Sequence, residues 1–341
     1  MLKTKAVCSL LFVALFACNA ISQNETDKMG RKQGVWTKTN KKGFKVYEGT
    51  FVDDYETGWF KYYYPNGKLK AKTFFADNGR RGTTTVFYPN GEKMAEGFYL
   101  DRKKDSLWVT YSEQGIKISE QNYKNGMKEG VWLTFNKSGK VIEETHYKNN
   151  KKNGICLERT YNGEYAYVNY EDNVRNGEYK EYTTGGDLYI TGQYHNDKRI
   201  GTWNVYEENK RIIGRKIYND DALISFEVAL FSADSVMFAD IETISYFYTK
   251  GKQSVVVLND GQQINVLHSG DYILELSNGE YFLQLNEKMN FYCSSQALKG
   301  IEPAENGNYK IILTPAPSFN VITDENSKKA MESIFLLNDN K

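Results

Sequence analysis

The chain has 341 residues, and 44 basic against 43 acidic side chains leave a formal charge of +1, so no global charge draws it to nucleic acid. Aromatic residues make up 14% of it, with 26 Tyr, 18 Phe and 5 Trp against only 5 Pro; this argues against disorder and for a pleated, half-buried β surface. The near-neutral total hides two halves, because residues 219–341 hold 8 Lys, no Arg and 17 acidic side chains, a charge of −9, and residues 1–218 hold +10.

Residues 1–22 read as a secretory signal peptide. Lys3 and Lys5 precede a short apolar run from Ala6 to Ala17, and the small residues Ala20 and Ser22 follow it. The run is too short to span a bilayer with margin, and cleavage is expected after Ser22 or Ala20. The rival reading takes Leu15-Phe16-Ala17-Cys18 as a lipobox with Cys18 lipidated. No later apolar run is long enough for a membrane helix, so the chain is expected to be exported: periplasmic, outer-surface or secreted. The remaining thiols are Cys156 and Cys293. Neither belongs to a CxxC pair and His146, His195 and His268 are scattered, so no metal or other cofactor is expected. A Cys156–Cys293 disulfide would suit an oxidising compartment; two buried free thiols are the plainer expectation.

From residue 30 onward the chain repeats with a period of 24. An opening aromatic recurs at Phe51, Phe75, Tyr99, Tyr123, Tyr147, Tyr170, Tyr194 and Tyr218, with one step of 23. Glycine columns run Gly34, Gly58, Gly82, Ser106, Gly130, Gly154, Gly177, Gly201 and Gly43, Gly67, Gly91, Gly115, Gly139, Gly163, Gly186. Within each unit an aromatic and β-branched run such as Val131–Phe135 predicts a strand. Turns such as Tyr64-Pro65-Asn66-Gly67-Lys68 supply Pro and then Asn-Gly, a strong hairpin signal. A second strand and a polar link such as Asn125-Gly126 complete the unit. Each repeat is therefore one β-hairpin, and about eight of them should pair into a single-layer antiparallel meander, elongated to roughly 75 Å at about 10 Å per hairpin.

The pattern Y-x-x-G-x-x-x-G-x-W-x-x-Y-x-x-x-G-x-x-x-x-E resembles the MORN repeat (membrane occupation and recognition nexus) in its bacterial variant, over about residues 30–218. That variant is common in exported proteins labelled YwqK-type antitoxin components. The resemblance implies a β-meander that serves as a scaffold or binding surface. Thr84 and Cys156 stand where the pattern has Trp, and Arg159 where it has its second aromatic, so looser packing is expected there.

The Trp column (Trp36, Phe60, Trp108, Trp132, Tyr179, Trp203) and the next aromatic column (Tyr63, Phe87, Tyr111, Phe135, Tyr182, Tyr206) are three residues apart, which puts them on opposite faces. The plain reading is that these rings stack and stiffen a thin sheet; the functional one is a groove for a partner. An acidic column at Glu48, Glu96, Glu120 and Glu144 is broken by Lys72, Thr191 and Arg215. Its neighbours would lie about 10 Å apart, at or beyond the upper end of acid–base pairs, so cross-strand charge pairing is expected. Basic clusters at Lys41-Lys42, Arg80-Arg81, Arg102-Lys103-Lys104, Lys151-Lys152 and Lys198-Arg199 read as a charge-blunted edge or as a contact for an anionic partner. No GxGxxG, Walker, GxSxG or HExxH pattern is present.

The period stops at Tyr218. Leu223–Phe231, Ile241–Tyr248, Ser254–Leu258, Tyr272–Leu276 and Tyr281–Leu285 are aliphatic-rich, and Asn259-Asp260-Gly261 and Ser277-Asn278-Gly279 predict hairpin turns. One late helix is expected at Asn326–Leu337, where Ala330, Ile334 and Leu337 share a face. The division is thus a signal peptide over 1–22, hairpin repeats over 23–218, and an acidic β-rich domain over 219–341 that caps the sheet or docks on it by charge. The expected function is a non-catalytic, exported scaffold whose candidate surface comprises Trp36, Phe60, Trp108, Trp132, Tyr179, Trp203, Arg102, Lys103 and Lys104. Its partner would be a protein, an envelope glycan or a lipid headgroup, and not nucleic acid. The alternatives are an antitoxin-like protein and an enzyme with its site near His268 or Cys293 in the tail.

Overall fold

The computed structural model describes residues 23–159, 163–286, 290–317, 321–323 and 328. The expected signal peptide, Cys18 included, lies outside the described residues, as does the late helix except for Lys328. The chain forms two compact units, Met1–Val141 and Ile142–Lys341. No helix among the described residues is long and apolar enough to cross a membrane.

In the first unit, strands Lys32–Thr39, Lys45–Val52, Tyr55–Tyr63, Leu69–Ala76, Arg81–Phe87, Lys93–Leu100, Lys103–Tyr111, Lys117–Lys124 and Met127–Phe135 follow one another. Each pairs antiparallel with the next, which is the predicted meander. Two kinds of turn alternate. Within a repeat, Tyr64–Lys68 closes a bulged hairpin: the Tyr64 amide donates to the Lys68 carbonyl at 2.8 Å, and Gly67 takes φ +81°. Pro65 favours a type I start, so Gly alone supplies the left-handed residue. Between repeats the turns have two residues with positive φ, as at Asp53-Asp54 and Asn125-Gly126, the type I′ pattern that suits Asn, Asp and Gly.

The first glycine column has a mechanical role. Each two-residue turn is followed by a register shift, as between Glu48 and Thr50 or Glu96 and Phe98. The bulged residue is left-handed: Gly58 at φ +65° and, in the one non-glycine copy, Ser106 at φ +58°. Such bulges re-aim side chains along the strand. The link Asp77-Asn78-Gly79-Arg80 departs from this rule. Ala76 pairs with Arg81, so four residues turn the chain, and the two strands pair without a shift.

In the second unit, strands Gly154–Arg159, Tyr165–Glu171, Val174–Tyr182, Leu188–His195, Lys198–Tyr206 and Ile212–Asn219 continue in the same style. Pairing does not stop where the period stops. Ala222–Phe231 pairs with Ile212–Asn219, and Val236–Asp240 pairs with Ala222–Phe231. The chain then builds a five-stranded and a three-stranded antiparallel sheet. Val205 and Ile213 of the last repeat hairpin share a core with Phe226, Val228, Ile241, Ile273 and Leu276. The tail therefore extends the meander by two strands and also folds back over its end. The contact is chiefly apolar, whereas the charge split had suggested electrostatic docking; burying a side chain of this size contributes roughly 1.5–3 kcal/mol. A second core joins the two small sheets through Tyr246, Tyr248, Phe291, Leu298, Ile311 and Leu313.

Asn259-Asp260-Gly261 turns a hairpin, with the Leu258 amide donating to the Gln262 carbonyl at 2.9 Å. Ser277-Asn278-Gly279 does not, and Tyr272–Leu276 is not a strand. Asp271–Leu276 forms a short helix, α1, which buries Ile273 and Leu276. Asn278 and Gly279 take φ +50° and +71°, and the Gly279 amide donates to the Leu274 carbonyl at 3.0 Å. An Asn-Gly pair supplies left-handed residues equally well to a hairpin and to a helix C-terminus, so the dipeptide did not discriminate. Cys156 and Cys293 are free and buried.

Candidate functional site

The Trp column and the opening aromatics share one face, where they form rows of edge-to-face rings. In the first unit Phe51 meets Phe60 at 5.2 Å between centroids, Phe60 meets Phe75 at 5.2 Å, and Tyr99 meets Trp108 at 4.9 Å. In the second, Tyr179 meets Tyr194 at 5.6 Å and Tyr194 meets Trp203 at 5.1 Å. Several rings lie flat on a glycine of the preceding strand. A Cβ at Gly97 would come within 2.2 Å of the Trp108 ring, and one at Gly49 within 2.4 Å of Phe60. Trp108 and Trp132 donate their indole N–H to the carbonyls of Phe98 and Asn122 at 3.0 and 2.7 Å. Phe60, Trp108 and Trp203 are consequently buried within the row, while Trp36, Trp132 and Tyr179 are half-buried.

Cations stand over these rings; the sequence reading singled out Lys104, Lys152 and Arg199 within basic clusters, but not the column they form. Lys32 lies 4.6 Å from the Phe51 centroid, Lys104 4.9 Å from Tyr123, Lys152 4.6 Å from Tyr170, Arg175 4.3 Å from Tyr194 and Arg199 4.2 Å from Tyr218. Lys104 and Lys128 also cover Trp108 and Trp132, at 4.4 and 4.3 Å. All of them sit two residues before the first glycine column, so the same 24-residue count would have exposed them. In that column Glu56 and Arg80 are the exceptions: Glu56 carries the wrong charge, and Arg80 bonds Asp101 at 2.8 Å. Each desolvated cation–ring contact contributes on the order of 0.5–2 kcal/mol. Burial pulls the Lys104 ammonium below its ordinary pKa.

The cluster Arg102-Lys103-Lys104 is therefore divided. Lys104 belongs to the ring face, whereas Arg102 and Lys103 are exposed in the link. Other link cations pair with the next link, as Lys151 does with Asp172 at 2.9 Å and Lys198 with Asp220 at 3.3 Å. These exposed pairs contribute little energy and blunt the edge.

The opposite face carries the acidic column. Tyr63 and Tyr111 donate to Glu48 and Glu96, both at 2.7 Å, and Lys45, Lys93 and Lys117 hold Glu48, Glu96 and Glu120 at 2.7, 2.9 and 2.7 Å. The Lys45 ammonium, helped by Tyr63, lowers the Glu48 carboxyl to about 2. Tyr63 in turn is pushed up to about 12 by burial and by that carboxylate. These are the expected charge pairs, with a tyrosine added.

In the tail, the Cys293 thiol is pushed up to about 12 by burial, which leaves it inert as a nucleophile. His268 lines a cleft of about 290 Å³ with Glu207, Arg211 and Asp271. Arg211 donates to His268 Nε2 at 2.9 Å. Ser269 bonds Asp271 directly, so the Ser, His and Asp of this stretch do not form a relay.

A sequence model of the MORN repeat variant matches residues 56–77, 80–101 and 128–149. These three segments are MORN-variant repeats in phase with the 24-residue period, and the first two each span one hairpin. No curated protein matches the chain. Among solved structures, the LytTr DNA-binding domain of a Bacillus cereus response regulator aligns at 14% identity with a TM-score of 0.27, covering 32% of this chain and 95% of its own. A likeness that weak does not establish a shared fold.

Proposed function

We propose that the chain is an exported, non-catalytic scaffold that binds a protein or other cell-envelope partner through its ring-and-cation face. One observation carries this reading: in each unit one face carries a ring row flanked by cations, a surface suited to aromatic and anionic groups. The leader-like residues 1–22 support export. The acidic column supports binding over catalysis. Glu48, held at about 2 by Lys45 and Tyr63, is poorly matched to general-acid work near neutral pH.

The test is affinity capture from an envelope extract with the chain from residue 23, beside a variant carrying Lys104→Glu and Lys128→Glu, two cations of the ring face. A circular-dichroism melt of the variant checks that it folds. Capture of one partner that the charge reversal weakens supports the reading. Equal capture by both proteins, or none across conditions, contradicts it.

A further inference from the structure

Three columns break at one place in the first unit. Thr84 replaces the ring, Glu56 replaces the cation, and Asp77–Arg80 replaces the two-residue turn. Thr73 and Thr84 lie directly opposite each other, and their hydroxyls bond at 2.9 Å. Above them is a cavity of about 460 Å³ lined by Tyr62, Thr73, Phe75, Thr84, Val86 and Tyr99. That volume falls within the range of ligand pockets. At Cys156, the other break, the residue lying opposite is the bulkier, wholly apolar Val168.

The surrounding repeats say what fits. The opening aromatic nine residues before each column ring leans against it: Phe51 on Phe60 and Tyr99 on Trp108 edge-on, and Tyr123 on Trp132 tilted, at 5.1 Å. Phe75 holds that place for position 84. Trp132 shows that an indole is accommodated opposite a residue larger than glycine, since it pairs with Gln121. The walls are dry enough that burial pushes Tyr62 up to about 12.

The polar end of the cavity is also particular to it. Arg102 reaches two links back to Glu56, 3.3 and 3.4 Å from its two oxygens, where other link cations pair with the adjacent link. Gly79 leaves room for this strap, because a Cβ there would come 2.9 Å from Glu56 Oε2. A charged pair beside an apolar slot offers hydrogen bonds to the peptide groups that flank an inserted side chain.

We propose that this cavity binds an aromatic side chain, an indole by preference, presented by a partner polypeptide and completing the ring row that Thr84 leaves open. The proposal rests on the scaffold reading above and names the partner's anchor. Buried Trp and Tyr anchors commonly dominate such contacts.

The test titrates the chain from residue 23 with N-acetyl-L-tryptophanamide, with N-acetyl-L-alaninamide as control, and follows the methyl signals of Thr73, Thr84 and Val86 by NMR. Saturable shifts at these three methyls with the tryptophan probe alone are expected. Thr84→Trp should weaken the probe roughly tenfold or more and release the captured partner, while Thr84→Val should keep both. The absence of saturable shifts, or shifts confined to other methyls, overturns the proposal whether or not Thr84→Trp folds. A partner captured equally well by Thr84→Trp overturns it and leaves the scaffold reading standing. Probe binding with no partner recovered overturns the polypeptide assignment in favour of a free aromatic ligand and counts against the scaffold reading.

Discussion

The Trp108 ring lies flat on the backbone of Gly97, so close that a Cβ on Gly97 would stand 2.2 Å from it. The ring row depends on this fit, because it lets a large side chain sink into a single-layer sheet. Gly97→Ala should therefore destabilise the first unit by about 1–3 kcal/mol through overpacking. Glycine to alanine within a strand ordinarily gains stability. A lowered denaturant midpoint checks the sign; a raised one would show that the ring is not seated on Gly97.

Ser106 occupies the bulge position that glycine holds in its neighbours, at φ +58°. A left-handed residue with a Cβ costs about 1–2 kcal/mol, and glycine returns about 0.4–1 kcal/mol of that through the freer unfolded chain. Ser106→Gly should stabilise the protein by roughly 0.5–1 kcal/mol, read as a rise in thermal midpoint. Gly130→Ala, at φ +70°, should move it the other way.

Glu48 has a folded-state pKa near 2 against an ordinary 4.5. A depressed carboxyl pKa gives stability that is present above the unfolded value and lost as pH falls through the folded one. Glu48→Gln should thus cost roughly 1 kcal/mol at pH 7, discounted for partial exposure. The cost should shrink from about pH 4.5 downward and vanish near pH 2. Denaturant melts of both proteins at pH 7, 4 and 2.5 measure the difference.

Leu276 of α1 packs on Gly214, with both δ-carbons 3.3 Å from where a Cβ would stand. This contact belongs to the apolar core that joins the tail to the last repeat hairpin. Leu276→Ala should cost about 2–3 kcal/mol, whereas 0.5 M salt should leave the second unit's melting nearly unchanged, since salt screens charges and not apolar contacts. A strong salt dependence would restore the electrostatic account.

Much of this was legible from spacing alone. The 24-residue columns identified the hairpins, and the three-residue offset between Trp108 and Tyr111 separated the two faces. The cation column is equally periodic, but it is hidden among many other Lys and Arg. The bulges were not legible, because glycine in a strand announces close approach as readily as a left-handed φ. Helix α1 was missed because Asn278-Gly279 serves either kind of chain reversal. The replacement of Trp by Thr84 was visible in the sequence, whereas the pairing that sets Thr73 opposite it, and Val168 opposite Cys156, was not.

The central claim is that one face of the repeats receives a partner. A photoreactive residue placed at Arg102, beside the cavity, and another at Lys117, on the acidic face, test it in envelope extract. The account predicts one discrete adduct from position 102, abolished by Thr84→Trp, and none from position 117. Equal labelling from both faces, or labelling from 117 alone, would contradict it.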